Sequence, residues 1–278
     1  MGFIRGVSLS GEELYIIRWF DDSVHIDVYS ISNVTFLHRF YVPGFSQYGV
    51  KDFTLCENDR VRYFLIADSK RPLLHVHKVP TMNGQTCHAE TQWPLPGRPC
   101  AISTVRYGSK GRVIVACCAD GLLSFIGKLI ELRSDGEHIR TIILQSPINS
   151  LWSVRALESG DYLVSYRSFW CTGCETVSKV DDCGKVTESY GDWWLFWGRE
   201  LLRGECCMAV DSDGFVFVAD SENKRILLLN PSLQFVRSIA TEFYPKLLHF
   251  DSTSQRLFVT SSYFAVRGYE GTVHVFQL

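Results

Sequence analysis

The chain has 278 residues, of which 46% are hydrophobic and 21% charged, and 28 Lys and Arg against 30 Asp and Glu give a formal charge of −2. This composition excludes a disordered chain, because so much apolar surface with so little net charge supports a packed core. The longest apolar runs, such as residues 113–119, are far shorter than the roughly 20 residues of a membrane span. The near-zero net charge also argues against a dedicated nucleic-acid binder.

Six short apolar runs of β type recur along the chain and end at residues 17, 67, 116, 165, 219 and 260. Their mean spacing is about 49 residues, a period typical of repeat architectures. Turns such as Ser159-Gly160 separate strands of five or six residues, and helical periodicity is almost absent. The sequence therefore predicts an all-β fold, a six-bladed β-propeller of four-stranded antiparallel blades.

The blades are expected to form a single domain over residues 1–278. Their predicted bounds are about 4–45, 48–95, 98–146, 148–195, 203–243 and 244–278. The fourth blade is irregular, because residues 169–174 are inserted after its second strand and the aromatic run 193–197 follows its fourth. The sixth blade offers strands only at 246–250, 256–261 and 272–278. We predict that its missing outer strand lies upstream of this chain, or that this blade has three strands.

Blade five carries the most specific pattern, MAVDSDGFVFVADSENKRI over residues 208–226. This segment resembles an NHL repeat, whose approximate pattern is IAVDxxGxIYVADxxNxRI. Blade two keeps Ala67-Asp68-Ser69 of that pattern but has Lys70-Arg71-Pro72 in place of the Asn-x-Arg element. NHL propellers commonly form the C-terminal domain of TRIM-type ubiquitin ligases, where they bind protein or RNA. The resemblance therefore implies a monomeric interaction module within a larger chain. The sequence contains no RING, B-box or coiled coil.

Three groups of residues are of the types that bind metals. Cys171 and Cys174 form the single CxxC, which zinc would need a second pair to complete. A labile disulfide or ordinary loop thiols are the alternatives. His75 and His77 share one face of a strand, and we expect an outward-facing polar stripe there. His249 lies on an inner strand near the central channel. We predict no metal, cofactor or catalytic residue and hence no enzyme, with a metal-dependent hydrolase or lyase as the minority alternative.

The best candidate site is the face formed by the loops between blades and between second and third strands, since loops on a rigid ring vary freely. Trp, Tyr and Arg, which are enriched in interaction hot spots, gather there. The predicted binding residues are Arg71, Arg98, Phe169, Trp170, Trp193, Trp194, Trp197, Arg199, Arg203, Tyr263 and Arg267. Packing of some tryptophans between blades four and five is the structural alternative.

The charge of these loops distinguishes a protein partner from an RNA partner. Ten basic residues face twelve acidic ones, whereas RNA binding requires an excess of positive charge. A protein or peptide partner is therefore the first prediction and single-stranded RNA the alternative. No membrane partner is predicted.

The cysteines and the N-terminus bear on the compartment. The first eight residues contain no basic and apolar secretory signal. Of ten cysteines, Cys117, Cys118, Cys206 and Cys207 fall within apolar strands. We expect reduced, mostly buried thiols and a cytoplasmic protein.

Overall fold

The structure is a computed structural model, which describes residues 3–20, 23–45, 49–58, 61–80, 86–107, 110–118, 126–168, 175–191, 201–261, 263–265 and 268–278. It confirms the predicted class, an all-β propeller with six antiparallel blades. The six apolar runs that define the sequence repeat lie in the second strands of the six blades. No helix in this described part is long and apolar enough to cross a membrane.

The first three blades each contain four strands in consecutive order. Blade one comprises β1 (Phe3–Ser10), β2 (Glu13–Phe20), β3 (Ser23–Ser30) and β4 (Phe36–Val42). Blade two comprises β5 (Val50–Asn58), β6 (Val61–Asp68), β7 (Leu73–Lys78) and β8 (Ala89–Pro94). Blade three comprises β9 (Arg98–Tyr107), β10 (Lys110–Cys118), β11 (Ile126–Arg133) and the first half of β12 (His138–Ala156).

Blades three and four share one strand. β12 pairs with β11 up to Pro147 and with β13 from Ile148 onward, so the two blades form one seven-stranded sheet. The sequence suggested two separate strands here, but no turn interrupts the chain between them. Blade four is completed by β13 (Tyr162–Ser168), β14 (Glu175–Val180) and β15 (Val186–Tyr190).

Blade five matches its sequence pattern closely. Its strands are β16 (Met208–Val210), β17 (Val216–Asp220), β18 (Arg225–Leu229) and β19 (Phe235–Ala240). The first hairpin turns at Gly214, whose φ of 82° is unfavourable for a residue with a Cβ. The Asp211 carboxylate accepts hydrogen bonds from the backbone N–H groups of Asp213 and Phe215 at 2.9 and 2.8 Å. Turn chemistry therefore fixes the register of this blade.

Blade six has three strands among the described residues, as predicted. They are β20 (Pro245–Asp251), β21 (Arg256–Ser261) and β24 (Val273–Gln277), with a short hairpin of β22 (Tyr263–Ala265) and β23 (Gly268–Glu270) between the last two. β24 occupies the position of a third strand, beside β21.

The core is divided among the contacts between blades. Each of the six clusters of buried apolar side chains joins two neighbouring blades, including the cluster of Ile4, Leu14, Ile16, Ile31 and Phe258 between blades one and six. The inner strands β1, β5, β9, β12, β16 and β20 contact one another in that order, and β20 contacts β1. The ring is therefore closed around a central channel.

The structure corrects the prediction for His75 and His77. Both side chains are buried, at 5% and 1% exposure, rather than forming an outward-facing stripe. His75 Nε2 lies 3.1 Å from Asp68 Oδ2, and His77 Nδ1 lies 3.0 Å from the Cys87 carbonyl oxygen. Phe45, from the loop after blade one, packs against both imidazoles. Both pKa values are lowered, chiefly by burial, so these histidines are neutral core residues.

Candidate functional site

The predicted binding face lies where the inner strands begin, because the loops between blades and between second and third strands all reach that end of the ring. We call it the loop face. Arg71, Arg98 and Arg203 are exposed there. The side chain of Tyr263 lies outside the described residues, as do Phe169, Trp170, Trp193, Trp194, Trp197, Arg199 and Arg267. Cys171 and Cys174 also lie outside, and the eight described cysteines form no disulfide with one another.

Arg71 is held in place by a buried carboxylate. Its Nε donates a 2.9 Å hydrogen bond to Asp68 Oδ2, while Asp68 Oδ1 accepts from the backbone N–H groups of Lys70 and Arg71. Asp68 is 3% exposed, whereas half of the Arg71 side chain faces solvent. Blade two thus lacks the NHL Asn-x-Arg element but still pairs its aspartate with an arginine. A guanidinium fixed in this way loses little entropy when it binds a partner.

Other acidic residues counted on this face are buried as well. Glu175 is fully buried and accepts a 2.6 Å hydrogen bond from Arg167, and Asp220 is fully buried and accepts a 2.6 Å hydrogen bond from Arg225. The sequence count of ten against twelve treated these carboxylates as surface charges. In the structure these carboxylates are buried in ion pairs with arginines and are not surface charges.

A tryptophan and two cations meet at the channel entrance. Trp152, on β12, donates a 2.6 Å hydrogen bond from Nε1 to Glu175 Oε2. Lys51 Nζ lies 5.4 Å from the centre of its ring, and the Arg167 guanidinium carbon lies 5.5 Å from it. Cations over an indole face are attracted by its quadrupole, so the three side chains form one rigid group.

The rest of the entrance is also charged. Arg5, Lys51, Trp152, Glu205 and Lys246 line one pocket at the beginning of the inner strands. Lys246 Nζ lies 3.2 Å from Glu205 Oε2. Burial raises the pKa of Glu205, but the positive charges of Lys246, Lys51 and Arg5 outweigh it and hold this pKa below its ordinary value. Three cations therefore surround one carboxylate.

Deeper in the channel, Arg155 faces Asp52. The Asp52 carboxylate accepts hydrogen bonds from the backbone N–H groups of Phe53 and Ile102 at 2.8 and 2.9 Å. Burial raises its pKa to about 6, against the lowering effect of these bonds and of Arg155. Arg155 Nη1 donates to the Val154 carbonyl oxygen at 2.8 Å, and no ion pair joins it to a carboxylate within the described ranges.

The far half of the channel is a cavity of about 330 Å³. Its polar lining includes Ser103, Thr104 and His249, which confirms the predicted position of His249 beside the channel. Burial and the nearby charge of Arg155 lower the pKa of His249 to about 3. This imidazole is therefore neutral at physiological pH.

Because His249 titrates far lower when folded than its ordinary pKa of 6.5, we expect it to make folding acid-sensitive. Below pH 6.5 the unfolded state takes up a proton that the folded state does not, so stability falls with pH. Between pH 7.5 and pH 5 this linkage lowers the free energy of unfolding by about 2 kcal/mol. Urea unfolding of the protein and of His249→Gln at both pH values measures it. Equal pH dependence in the two proteins would contradict the assignment.

Sequence reasoning missed the charged residues of the channel. Near the channel the sequence pointed only to His249, yet Arg5, Lys51 and Arg155 lie on three of the inner strands. These three residues are far apart in sequence, and they come together only because all three inner strands border the channel. A comparison of equivalent positions on the inner strands could have found this signal.

Comparison with known proteins places the chain among propellers but not in a family. No family model matches it, and no curated protein matches it in sequence. Similar solved structures include Kuenenia stuttgartiensis hydrazine synthase, with 13% identity, a TM-score of 0.64, and coverage of 99% of this chain and 83% of that one. Staphylococcus aureus virginiamycin B lyase has 8% identity, a TM-score of 0.59, and coverage of 99% and 84%. BBS1N, solved in complex with ARL6DN, has 14% identity, a TM-score of 0.51, and coverage of 90% and 71%.

These comparisons correct the prediction that the chain is not an enzyme. That prediction was wrong as an inference from the propeller fold, because hydrazine synthase and virginiamycin B lyase are enzymes with similar propellers. At 8–13% identity the likeness shows the fold alone and assigns no reaction to this chain. The complex of BBS1N with ARL6DN is an example of a similar propeller that binds another protein.

Proposed function

We propose that this propeller is an interaction module that binds a protein or peptide partner on its loop face. The observation that carries the proposal is the anchored Arg71, a half-exposed guanidinium held by a buried carboxylate. Arg98 and Arg203 add two exposed cations to the same face. Arginine fixed on a rigid scaffold is a typical anchor at protein interfaces.

Two further observations support a protein partner. Blade five resembles an NHL repeat, and its Asp220 binds the Asn223 amide and the Arg225 guanidinium of that motif. The similar propeller of BBS1N was solved with a protein bound. If the resemblance extends to function, the module would recognise substrates for a TRIM-NHL-like ubiquitin ligase. The tryptophans predicted at this face stay part of the proposal.

A triple variant, Arg71→Gln with Arg98→Gln and Arg203→Gln, is expected to lose at least about tenfold of partner recovery in affinity purification, because hydrogen bonds to charged groups contribute about 1.5–3 kcal/mol each. The matched control replaces three cations away from the loop face, with Arg133→Gln, Lys185→Gln and Arg237→Gln. Both variants lose the same charge, so a general electrostatic effect would appear in both.

Ribonuclease treatment separates the two classes of partner. A protein partner should survive the treatment and be lost only in the loop-face variant. Recovery that vanishes after ribonuclease would instead support the single-stranded RNA alternative. Equal recovery with the two triple variants would overturn the assignment to this face.

A further inference from the structure

The central channel has a positive charge that the whole-chain charge of −2 conceals. Among the described residues that line it, Arg5, Lys51, Arg155 and Lys246 are cationic and only Asp52 and Glu205 are acidic. The four cations come from blades one, two, four and six, so they surround the channel rather than line one side.

The two carboxylates offset only part of this charge, because four cations face them. Glu205 pairs with Lys246 at 3.2 Å and has no second ion pair within the part of the chain described. Asp52 directs its oxygens at the backbone N–H groups of Phe53 and Ile102. Lys51 contacts the ring of Trp152 instead of a carboxylate. Within the described part of the chain, Lys51 and Arg155 have no ion pair with a carboxylate, and a low-dielectric wall around such cations favours an anion.

Arg155 lines both the entrance pocket, which holds Arg5, Lys51 and Lys246, and the larger space beyond it, which suits a small ligand. The cavity of about 330 Å³ is within the usual range of small-molecule pockets. Its wall carries the hydroxyl groups of Ser8, Thr54, Ser103 and Thr104. The hydroxyl oxygens of Thr54 and Thr104 lie 3.3 Å apart, one on each of two neighbouring inner strands. Hydroxyl groups donate and accept, and therefore match a polyhydroxylated ligand.

We propose that the channel binds a small hydroxylated organic anion, whose carboxylate or phosphate group lies among Arg5, Lys51, Arg155 and Lys246. Its hydroxyl groups face the serine and threonine side chains of the cavity. The Arg155 guanidinium supplies the planar pair of donors that such groups accept. This site goes beyond the protein-binding loop face, since a ligand inside the channel is enclosed by the inner strands.

Isothermal titration of the purified chain with citrate, glucose 6-phosphate and glucose tests this site. We expect the two anions to bind with a dissociation constant of about 1 mM or tighter and glucose to give no measurable heat. Added salt should weaken binding of both anions, because it screens the cations. No binding of either anion, or equal binding of glucose and glucose 6-phosphate, would overturn the proposal.

Three variants locate the site. Lys51→Gln and Arg155→Gln should each weaken citrate about tenfold or more, because each removes a charge-assisted contact. Glu205→Gln should tighten citrate binding, because it removes the carboxylate that pairs with Lys246. An effect in this opposite direction cannot arise from misfolding. Weaker binding to Glu205→Gln, or unchanged binding to both cation variants, would contradict the assignment.

Two controls separate this site from the loop face. Lys185→Gln, on a distant hairpin, should bind citrate as the original chain does. The variant with Arg71, Arg98 and Arg203 replaced by Gln should also retain citrate binding, so loss of partner recovery and loss of anion binding can be told apart. An acidic peptide that binds this chain while both small anions do not would overturn the small-ligand assignment.

Discussion

Replacing Asp220 by Ala is expected to lower the free energy of unfolding by about 3–5 kcal/mol, the usual cost of removing one partner of a buried ion pair. Asp220 is fully buried at the end of β17. Its carboxylate accepts hydrogen bonds from Arg225 Nε at 2.6 Å, from the Asn223 amide at 2.9 Å and from the Arg203 backbone N–H at 2.9 Å. Alanine would remove the shared acceptor of these three donors, and the Arg225 side chain is only 14% exposed.

Urea unfolding of Asp220→Ala checks this expectation, with Asp213→Ala as the control. Asp213 is an exposed turn residue of the same blade, and its replacement should change stability by less than about 0.5 kcal/mol. The double variant with Asp220→Ala and Arg225→Ala should cost less than the sum of its single variants, because they share one interaction. Additive costs would show that the pair does not act as a unit.

The same arrangement recurs without the NHL motif. A buried carboxylate is bonded to arginine in each of the first five blades, through Asp27, Asp68, Glu131, Glu175 and Asp220. These carboxylates lie on second strands in two blades and on third strands in three. Sequence comparison by fixed motif position therefore detects the pattern in blade five and overlooks most of the others.

Strand positions were predictable because the second strands contain a continuous run of buried residues. In β17, for example, all five residues are buried, and the sequence marks this run by hydrophobicity alone. The continuous β12 was missed because its two halves belong to different blades, whose predicted bounds end at residue 146 and begin at residue 148. His75 and His77 were misjudged because alternation identifies a shared face but does not reveal that Phe45 covers it.

The cations of the channel could not be grouped from the sequence, because they come together only in the closed ring. Arg5, Lys51 and Arg155 are remote in sequence and belong to blades one, two and four. No local spacing relates them, so their common approach to the channel depends on the order of inner strands around the ring. The pairing of Glu205 with Lys246 likewise joins the segment before blade five to the first residues of blade six.

That ring closes through side-chain packing, which gives Phe258 an unusual importance. Blades one and six belong to separate sheets in the described structure, so no strand joins them by a backbone ladder. Phe258, only 1% exposed, packs with Ile4, Leu14, Ile16 and Ile31 of blade one. Among the hydrogen bonds across this contact, Arg256 Nη1 donates to the Ile31 carbonyl oxygen at 2.9 Å.

Phe258→Ala is therefore expected to cost about 3–5 kcal/mol, as large cavities in packed cores do. The loss should be local, because blades three and four are joined by β12 whereas blades one and six depend on this cluster. Hydrogen exchange should accelerate most in β1, β20 and β21 and least in β11 to β13. Phe235→Ala, at a 47% exposed position on β19, should leave exchange nearly unchanged. Uniform acceleration through all blades would mean that the ring opens as one cooperative unit, and that the packing between blades one and six is not its weakest contact.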